Sequence, residues 1–193
     1  SAEEAIGGLL GSAFQDTGDL PPFLEAQLLF AYLGGERFVA DLLERAGGDW
    51  TLVDTAFRLR VPASTEQVLH PRAYFSADEP RRVRLRAGVV LGGGWSRARA
   101  GTWGELQTRE LLGSDGAAAG WGGDRYELWR SGSSSVLVMR WRWDTRRDEA
   151  EFAERLRGWA ARRSGTAVVR RGRAVTLVVA PDADLARRVA LGA

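Results

Sequence analysis

Apolar positions recur at helical spacing through residues 1–79 and at a spacing of two through much of residues 80–193. In Ala2–Phe14, the residues Ile6, Leu9, Leu10 and Phe14 share a helical face, which Gly7, Gly8 and Gly11 weaken. Residues 16–19 read as a loop. Pro21-Pro22 then suits a helix start, where a missing N–H costs nothing, and Phe23, Leu24, Leu28, Leu29, Tyr32 and Leu33 give that helix an apolar stripe. Gly34-Gly35 either breaks it or lets another backbone approach closely. Phe38, Val39, Leu42 and Leu43 resume the pattern until Gly47-Gly48 stops it. Asp49 can cap a further helix that carries Trp50, Val53 and Phe57 on one face, and Pro62 closes the region. The pattern predicts a bundle of three to four helices. Ser64 stands three residues before Gln67, and Thr65 offers a second hydroxyl, so a short capped helix begins there. His70 precedes Pro71, which disfavours helical geometry at His70 and ends it.

From residue 80 the period changes. Val83, Leu85, Ala87, Val89 and Leu91 alternate with Arg84, Arg86 and Gly88, the pattern of a half-buried strand, and Gly92-Gly93-Gly94-Trp95 is a loop. Thr102-Trp103-Gly104-Glu105 has capping-box spacing and opens a helix through Leu106, Leu111 and Leu112 to Gly113. Gly120-Trp121-Gly122-Gly123-Asp124-Arg125 reads as a tight turn. It is either a binding loop using Trp121, Asp124 and Arg125 or, the reading we prefer, a turn that plugs Trp121 into the core. Tyr126–Arg130 and Val136–Trp143 form a hairpin, with Leu137, Met139, Trp141 and Trp143 on one face and Val138, Arg140 and Arg142 on the other. Asp144 or Thr145 caps a helix through Arg163, lined by Phe152, Leu156 and Trp159 and supported by a Glu151–Arg155 pair. Thr166–Arg170 and Ala174–Ala180 make a last hairpin, and Asp182 caps a final helix over 183–191. The predicted class is α+β. An N-terminal helical bundle (1–79) precedes a mostly antiparallel sheet with helices on one face (80–193), and the two parts can also form one compact unit.

Charge sharpens this division. Residues 1–79 hold 5 Arg against 13 Asp and Glu, a net −8, whereas residues 80–193 hold 22 Arg against 12, a net +10. Such a split suits two lobes that attract each other or a basic face meant for an anionic partner. All 27 basic residues are Arg, since the chain contains no Lys, and it contains no Asn or Cys either. This composition fits a GC-rich genome or a thermophilic origin, and it excludes disulfides, thiolate chemistry and lysine catalysis. No apolar run approaches the roughly 20 residues that span a bilayer. The chain opens at Ser1 without Met, which suggests a fragment whose upstream part is missing.

Candidate chemistry is sparse. His70 is the only histidine; with Glu66 four residues earlier it could share a face, but a metal site needs at least three protein ligands. We read His70 as a structural residue, with Ser64, Thr65, Glu66 and Gln67 as its capped surroundings. No Gly-x-Ser-x-Gly, His-Glu-x-x-His or phosphate-binding glycine motif occurs, so the chain itself carries no catalytic site or cofactor.

Several blocks nevertheless resemble a known family: Leu28-Leu29-Phe30-Ala31-Tyr32, Gly35-Glu36-Arg37-Phe38-Val39, the Gly47-Gly48 turn, the helix around Asp54, Pro62-Ala63-Ser64-Thr65-Glu66-Gln67-Val68-Leu69-His70-Pro71, residues 101–112 and Gly120–Tyr126. They are similar to the C-terminal portion of uncharacterised bacterial zincin-like proteins, predicted zinc metallopeptidases. The likeness runs over about residues 20–160, with 64–71 its most specific part and Ala31-Tyr32 departing from the family's Pro-Tyr. It implies that the zinc helix lies upstream of Ser1, so no zinc ligand or catalytic Glu falls on this chain. The chain would then be a non-catalytic structural or substrate-recognition part of a secreted or cell-envelope peptidase. Its partners would be its own upstream region and a protein or peptide substrate. The alternative is a binding module that turns Arg84, Arg86, Arg140 and Arg142 toward an anionic partner such as nucleic acid or cell-wall polymer. Because the aromatic residues and the arginines separate by face instead of interleaving, the pattern disfavours nucleic acid.

Overall fold

The computed structural model describes residues 22–113 and 115–193. The helix read over 2–14 and the loop at 16–19 lie outside the described residues. Contacts divide the chain into two units, Ser1–Glu79 and Pro80–Ala193.

The first unit is helical. Helix α1 (Pro22–Leu29) passes through one π turn (Phe30–Gly34) into α2 (Gly35–Arg45). Gly34 thus neither breaks the helix nor admits another backbone. A Cβ there would lie 2.6 Å from the Phe30 ring, so it is an aromatic ring that needs the space. Gly47 and Gly48 take positive φ and end α2, with Gly48 N donating to Leu43 O at 2.8 Å. Helix α3 (Thr51–Arg58) comes next; its N-cap is Trp50 and not Asp49, which lies one residue earlier and accepts from Thr51 N at 2.6 Å. The expected face of α3 is corrected: Val53 and Ala56 are buried, whereas Trp50 and Phe57 are 60% and 74% exposed. The chain after α3 is fixed by Tyr74. Its hydroxyl donates to Arg60 O at 2.8 Å, and the Arg60 guanidinium lies 4.5 Å from its ring centre. Short helices α4 (Thr65–Leu69) and α5 (Pro71–Phe75) complete the unit around Phe38, Leu42, Val53, Ala56 and Tyr74.

The second unit is a five-stranded antiparallel sheet with helices packed on it, as the α+β reading requires. Its elements are α6 (Ala87–Leu91), β1 (Ser96–Gly101), α7 (Glu105–Leu112), β2 (Trp121–Ser131), β3 (Ser134–Trp143), α8 (Arg146–Ala160), β4 (Thr166–Arg171), β5 (Ala174–Val179) and α9 (Ala183–Gly192). The strand order is β1-β2-β3-β5-β4, so the connection from β3 through α8 to β4 leaves room for β5 to return between them. The predicted succession of strands and helices holds, but its first member moves. Residues 83–91 are not a strand: 83–86 are irregular and 87–91 form α6, where a Cβ on Gly88 would sit 2.6 Å from the Trp129 ring. The true β1, Ser-Arg-Ala-Arg-Ala-Gly, is almost wholly exposed. Its alternation of Arg and Ala marks no buried face, and it exists because β2 offers it a ladder.

Trp121, Met139, Trp141, Trp143, Val175 and Leu177 face α8, with Phe152 4.4 Å from Trp143 and 5.0 Å from Trp141 between ring centres. Each buried indole removes about 150–250 Å² from water, a gross gain on the order of 4–6 kcal/mol before ordering entropy is subtracted. Helices also reach the opposite face, beyond the single covered face expected: Val136, Val138 and Val178 pack with Ala87 of α6 and with Ala186, Val189 and Ala190 of α9. Helix α8 is capped by Thr145, whose hydroxyl accepts from Asp148 N at 3.2 Å, and ends at Ala160 instead of Arg163. Glu151 pairs with Arg147 at 2.8 Å in place of Arg155.

Two glycines separate backbone strain from crowding. Gly172, in the β4–β5 turn, has φ +63° and open space where a Cβ would go; Gly165 has φ +67°, but a Cβ there would lie 2.1 Å from Ala180 O. Gly172→Ala is expected to cost about 1–2 kcal/mol, the left-handed penalty alone. Gly165→Ala is expected to cost clearly more, because the ladder carbonyl must also move. Denaturant unfolding of both variants checks this, and equal losses would show that crowding contributes nothing.

Candidate functional site

The residues singled out in the sequence lie at three separate places. In the first unit, Ser64 caps α4 by accepting from Gln67 N at 3.3 Å. The return contact of the capping box lands one residue early: Gln67 Oε1 accepts from Ala63 N at 2.8 Å, while its Nε2 donates to Asp78 O at 2.7 Å. Thr65 is the first helical residue. His70 closes α4, its N–H donating to Glu66 O at 2.7 Å, and then serves as N-cap to Pro71 of α5. The Glu66–His70 spacing is thus used for a backbone bond, with Glu66 buried and His70 exposed. An open groove of about 730 Å³ runs past His70 between Asp41 and Glu44 of α2 and Arg72 and Phe75 of α5, with Arg45 4.2 Å from the Phe75 ring centre. Among the described residues no group of three or more His, Asp or Glu side chains is placed to hold a metal ion.

The second place is the Trp121–Arg125 stretch. It forms the start of β2 with a bulge between Trp121 and Asp124, not an open loop. Trp121 is buried at 2% exposure, the preferred of the two readings. Gly123 has φ +138°, and a Cβ there would lie 2.4 Å from Arg81 O, so the bulge admits the backbone of Arg81. Asp124 is buried too. Its carboxylate accepts from Trp103 N and Gly104 N at 2.7 Å each and from Trp121 Nε1 at 3.0 Å. The capping box expected from Thr102 does not form. Gly104 is the N-cap of α7 and has no side-chain cap of its own, and Asp124 from β2 takes the free backbone donors instead. Thr108 extends the network, donating to Gly104 O at 2.8 Å and accepting from Trp141 Nε1 at 2.9 Å. Burial pushes the Asp124 carboxyl above its ordinary 3.8, against the opposing pull of its three N–H partners. The arrangement ties strands together and presents no open atom to a substrate.

The third place is a sheet face. On the face that carries Val138 and Val178, the next two rows toward the β4–β5 turn hold arginines. Arg125 and Arg140 are direct cross-strand partners on β2 and β3, and Arg142 and Arg171 flank Ala174 of β5. Residues 80–86 lie against this face, where Arg84 O accepts from Arg140 Nη1 at 3.0 Å. Arg140 is also held by its Nε, which donates to Thr176 Oγ1 at 2.9 Å, and Arg171 donates to Leu191 O at 2.6 Å. Burial lowers the proton affinity of Arg140, and the charge of Arg171 lowers it further. Among the described residues, none of Arg84, Arg86, Arg125, Arg140, Arg142 and Arg171 shares an ion pair with a carboxylate. The neighbouring acid on this face, Glu127, is occupied by Arg97 at 3.1 Å and by Trp129 Nε1 at 3.0 Å. The sequence pattern had named Arg84, Arg86, Arg140 and Arg142. It missed that Arg125 and Arg171 join them, since only strand register brings the three chain segments together.

Residues 91–190 match the family model described as a domain of unknown function (DUF8575). The chain belongs to the DUF8575 family. No curated protein and no solved structure matches it. The DUF8575 domain takes in all five strands, the Asp124 network and the sheet part of the arginine face, whereas Arg84 and Arg86 precede it.

Asp124 generates a test of sign. A carboxyl whose folded pKa is raised binds its proton more tightly when folded, so its contribution to stability grows as pH falls through the raised value toward 3.8. Asp124→Asn removes that titration and turns a donor toward N–H groups. It is expected to cost about 1–3 kcal/mol near neutral pH, and the gap to the unsubstituted chain should widen toward pH 4. Urea unfolding of both proteins across pH checks this; a gap that narrows on acidification would reverse the assignment.

Proposed function

We propose that this chain is a non-catalytic binding module whose second unit presents an arginine-bearing sheet face to an anionic partner. The observation that carries the reading is the juxtaposition of like charges on a folded face: Arg125 stands directly opposite Arg140, Arg171 acts electrostatically on Arg140, and none of the three shares an ion pair among the described residues. Like charges directly opposite one another destabilise a sheet. Elsewhere the same unit pairs its buried acids with arginine, as in Arg170 to Glu149 at 2.6 and 2.7 Å. A bound anion would supply the missing countercharge. The likeness to zincin-like metallopeptidases enters here as context only. In that setting the module would hold an anionic partner beside a peptidase region, a role that needs no zinc in this chain.

The test separates the face from net charge. Arg84, Arg142 and Arg171 are exposed and, among the described residues, bear no ion pair, and replacing all three by Gln removes three charges from the face. Arg155, Arg157 and Arg162 lie on or just after α8, which packs against the opposite face, so their replacement by Gln is the charge-matched control. On a heparin column the unsubstituted chain should be retained and eluted by salt. The Arg84→Gln/Arg142→Gln/Arg171→Gln variant should elute at clearly lower salt than the control. Equal elution of the two variants, or no retention of the unsubstituted chain, would sink the reading.

A further inference from the structure

Resting on the anion-binding reading above, we infer that the partner of the arginine face is double-stranded nucleic acid, held through its phosphates without regard to sequence. Four side chains fix the extent of the sheet part: Arg125 on β2, Arg140 and Arg142 on β3 and Arg171 on β4. β2 and β4 are separated by three steps across the sheet, about 14 Å at 4.7–4.9 Å per step. That span is comparable to the roughly 12 Å width of a duplex major groove. It far exceeds what one isolated phosphate or carboxylate would occupy. A duplex carries about one charge per 1.7 Å of axis, so it offers countercharge along the whole row at once.

The aromatic residues decide between duplex and single strand. Trp121, Trp141 and Trp143 are all buried in the opposite face. Trp129 lies two rows away on the arginine face, packed against the apolar cluster with Glu127 on its indole N–H. Of these four tryptophans none stands in the arginine rows as a stacking platform, and stacking on aromatic rings is how single strands are held. The separation of aromatic and basic residues that disfavoured nucleic acid in the sequence is thus an argument against single strands; it leaves phosphate contact to a duplex untouched. Because the chain contains no Lys, the use of Arg itself carries no information about the ligand. The inference rests on placement. Arg140 cannot swing away, being held by Thr176 and by Arg84 O, so it acts as a fixed positive centre around which the exposed Arg84, Arg142 and Arg171 can adjust.

The experiment titrates the full chain against a labelled DNA duplex of arbitrary sequence, the same strand alone and heparin, each from about 50 to 200 mM salt. The duplex is expected to bind more tightly than the single strand, with log affinity falling against log salt at a slope of about −4 to −5 and hence roughly 10²–10³-fold weaker binding across that range. The Arg84→Gln/Arg142→Gln/Arg171→Gln variant should flatten the slope by about 3, and the Arg155→Gln/Arg157→Gln/Arg162→Gln control should leave it nearly unchanged. Tighter binding of the single strand would overturn the duplex assignment. Retention on heparin without measurable duplex binding would also overturn it, pointing to an anionic envelope polymer and leaving the anion-binding reading intact. Failure of all three probes, or equal losses in both variants, would overturn the two together.

Discussion

The carboxylate of Asp124 is the contact on which the DUF8575 unit turns. It is buried and, among the described residues, has no cationic partner; three N–H donors, two from residues 103–104 and one from Trp121, hold it. Burying a charge in this way is costly unless every acceptor position is used. In return, two backbone donors at the start of α7 and one indole are satisfied at a single point. The position of α7 then fixes Thr108, and Thr108 fixes the indole of Trp141 at the centre of the aromatic core. Phe152 of α8 packs against that indole, so one polar node sets the placement of two helices on the sheet.

Charge is treated in two ways on that sheet. Three buried acids are matched: Glu149 by the two-pronged contact of Arg170, Glu127 by Arg97 and Trp129, and Asp124 by its three donors. At the open end of the Val138 face the matching stops, and guanidinium groups face one another across strands. Like charges directly opposite one another weaken a sheet where they occur. That contrast is why the arginine row, and not the groove beside His70, carries the functional reading.

Long periodic elements were legible because their apolar spacing is local. The stripe of α2, the alternation of β3 and the caps Ser64, Thr145 and Asp182 all appear where the pattern puts them. The failures share a cause. Residues 83–91 alternate like a strand, yet no neighbouring strand accepts them, and the close approach of Trp129 to Gly88 suits a short helix instead. β1 alternates only Arg with exposed Ala and is a strand because its backbone pairs with β2. Thr102 has capping-box spacing, but a better acceptor arrives from residue 124.

The arginine row divides in the same way. The sequence by itself determined that the chain is split in charge, that its only basic side chains besides His70 are arginines, and that Arg140 and Arg142 share a strand face away from the tryptophans. Those properties depend on composition and on the two-residue period of an extended chain. Only the tertiary structure decided that Arg125 and Arg171 stand in line with them, that Arg140 is clamped between Thr176 and Arg84 O, and that no described acid reaches the row. Register between strands distant in sequence is set by packing on both faces at once, and no local pattern encodes it.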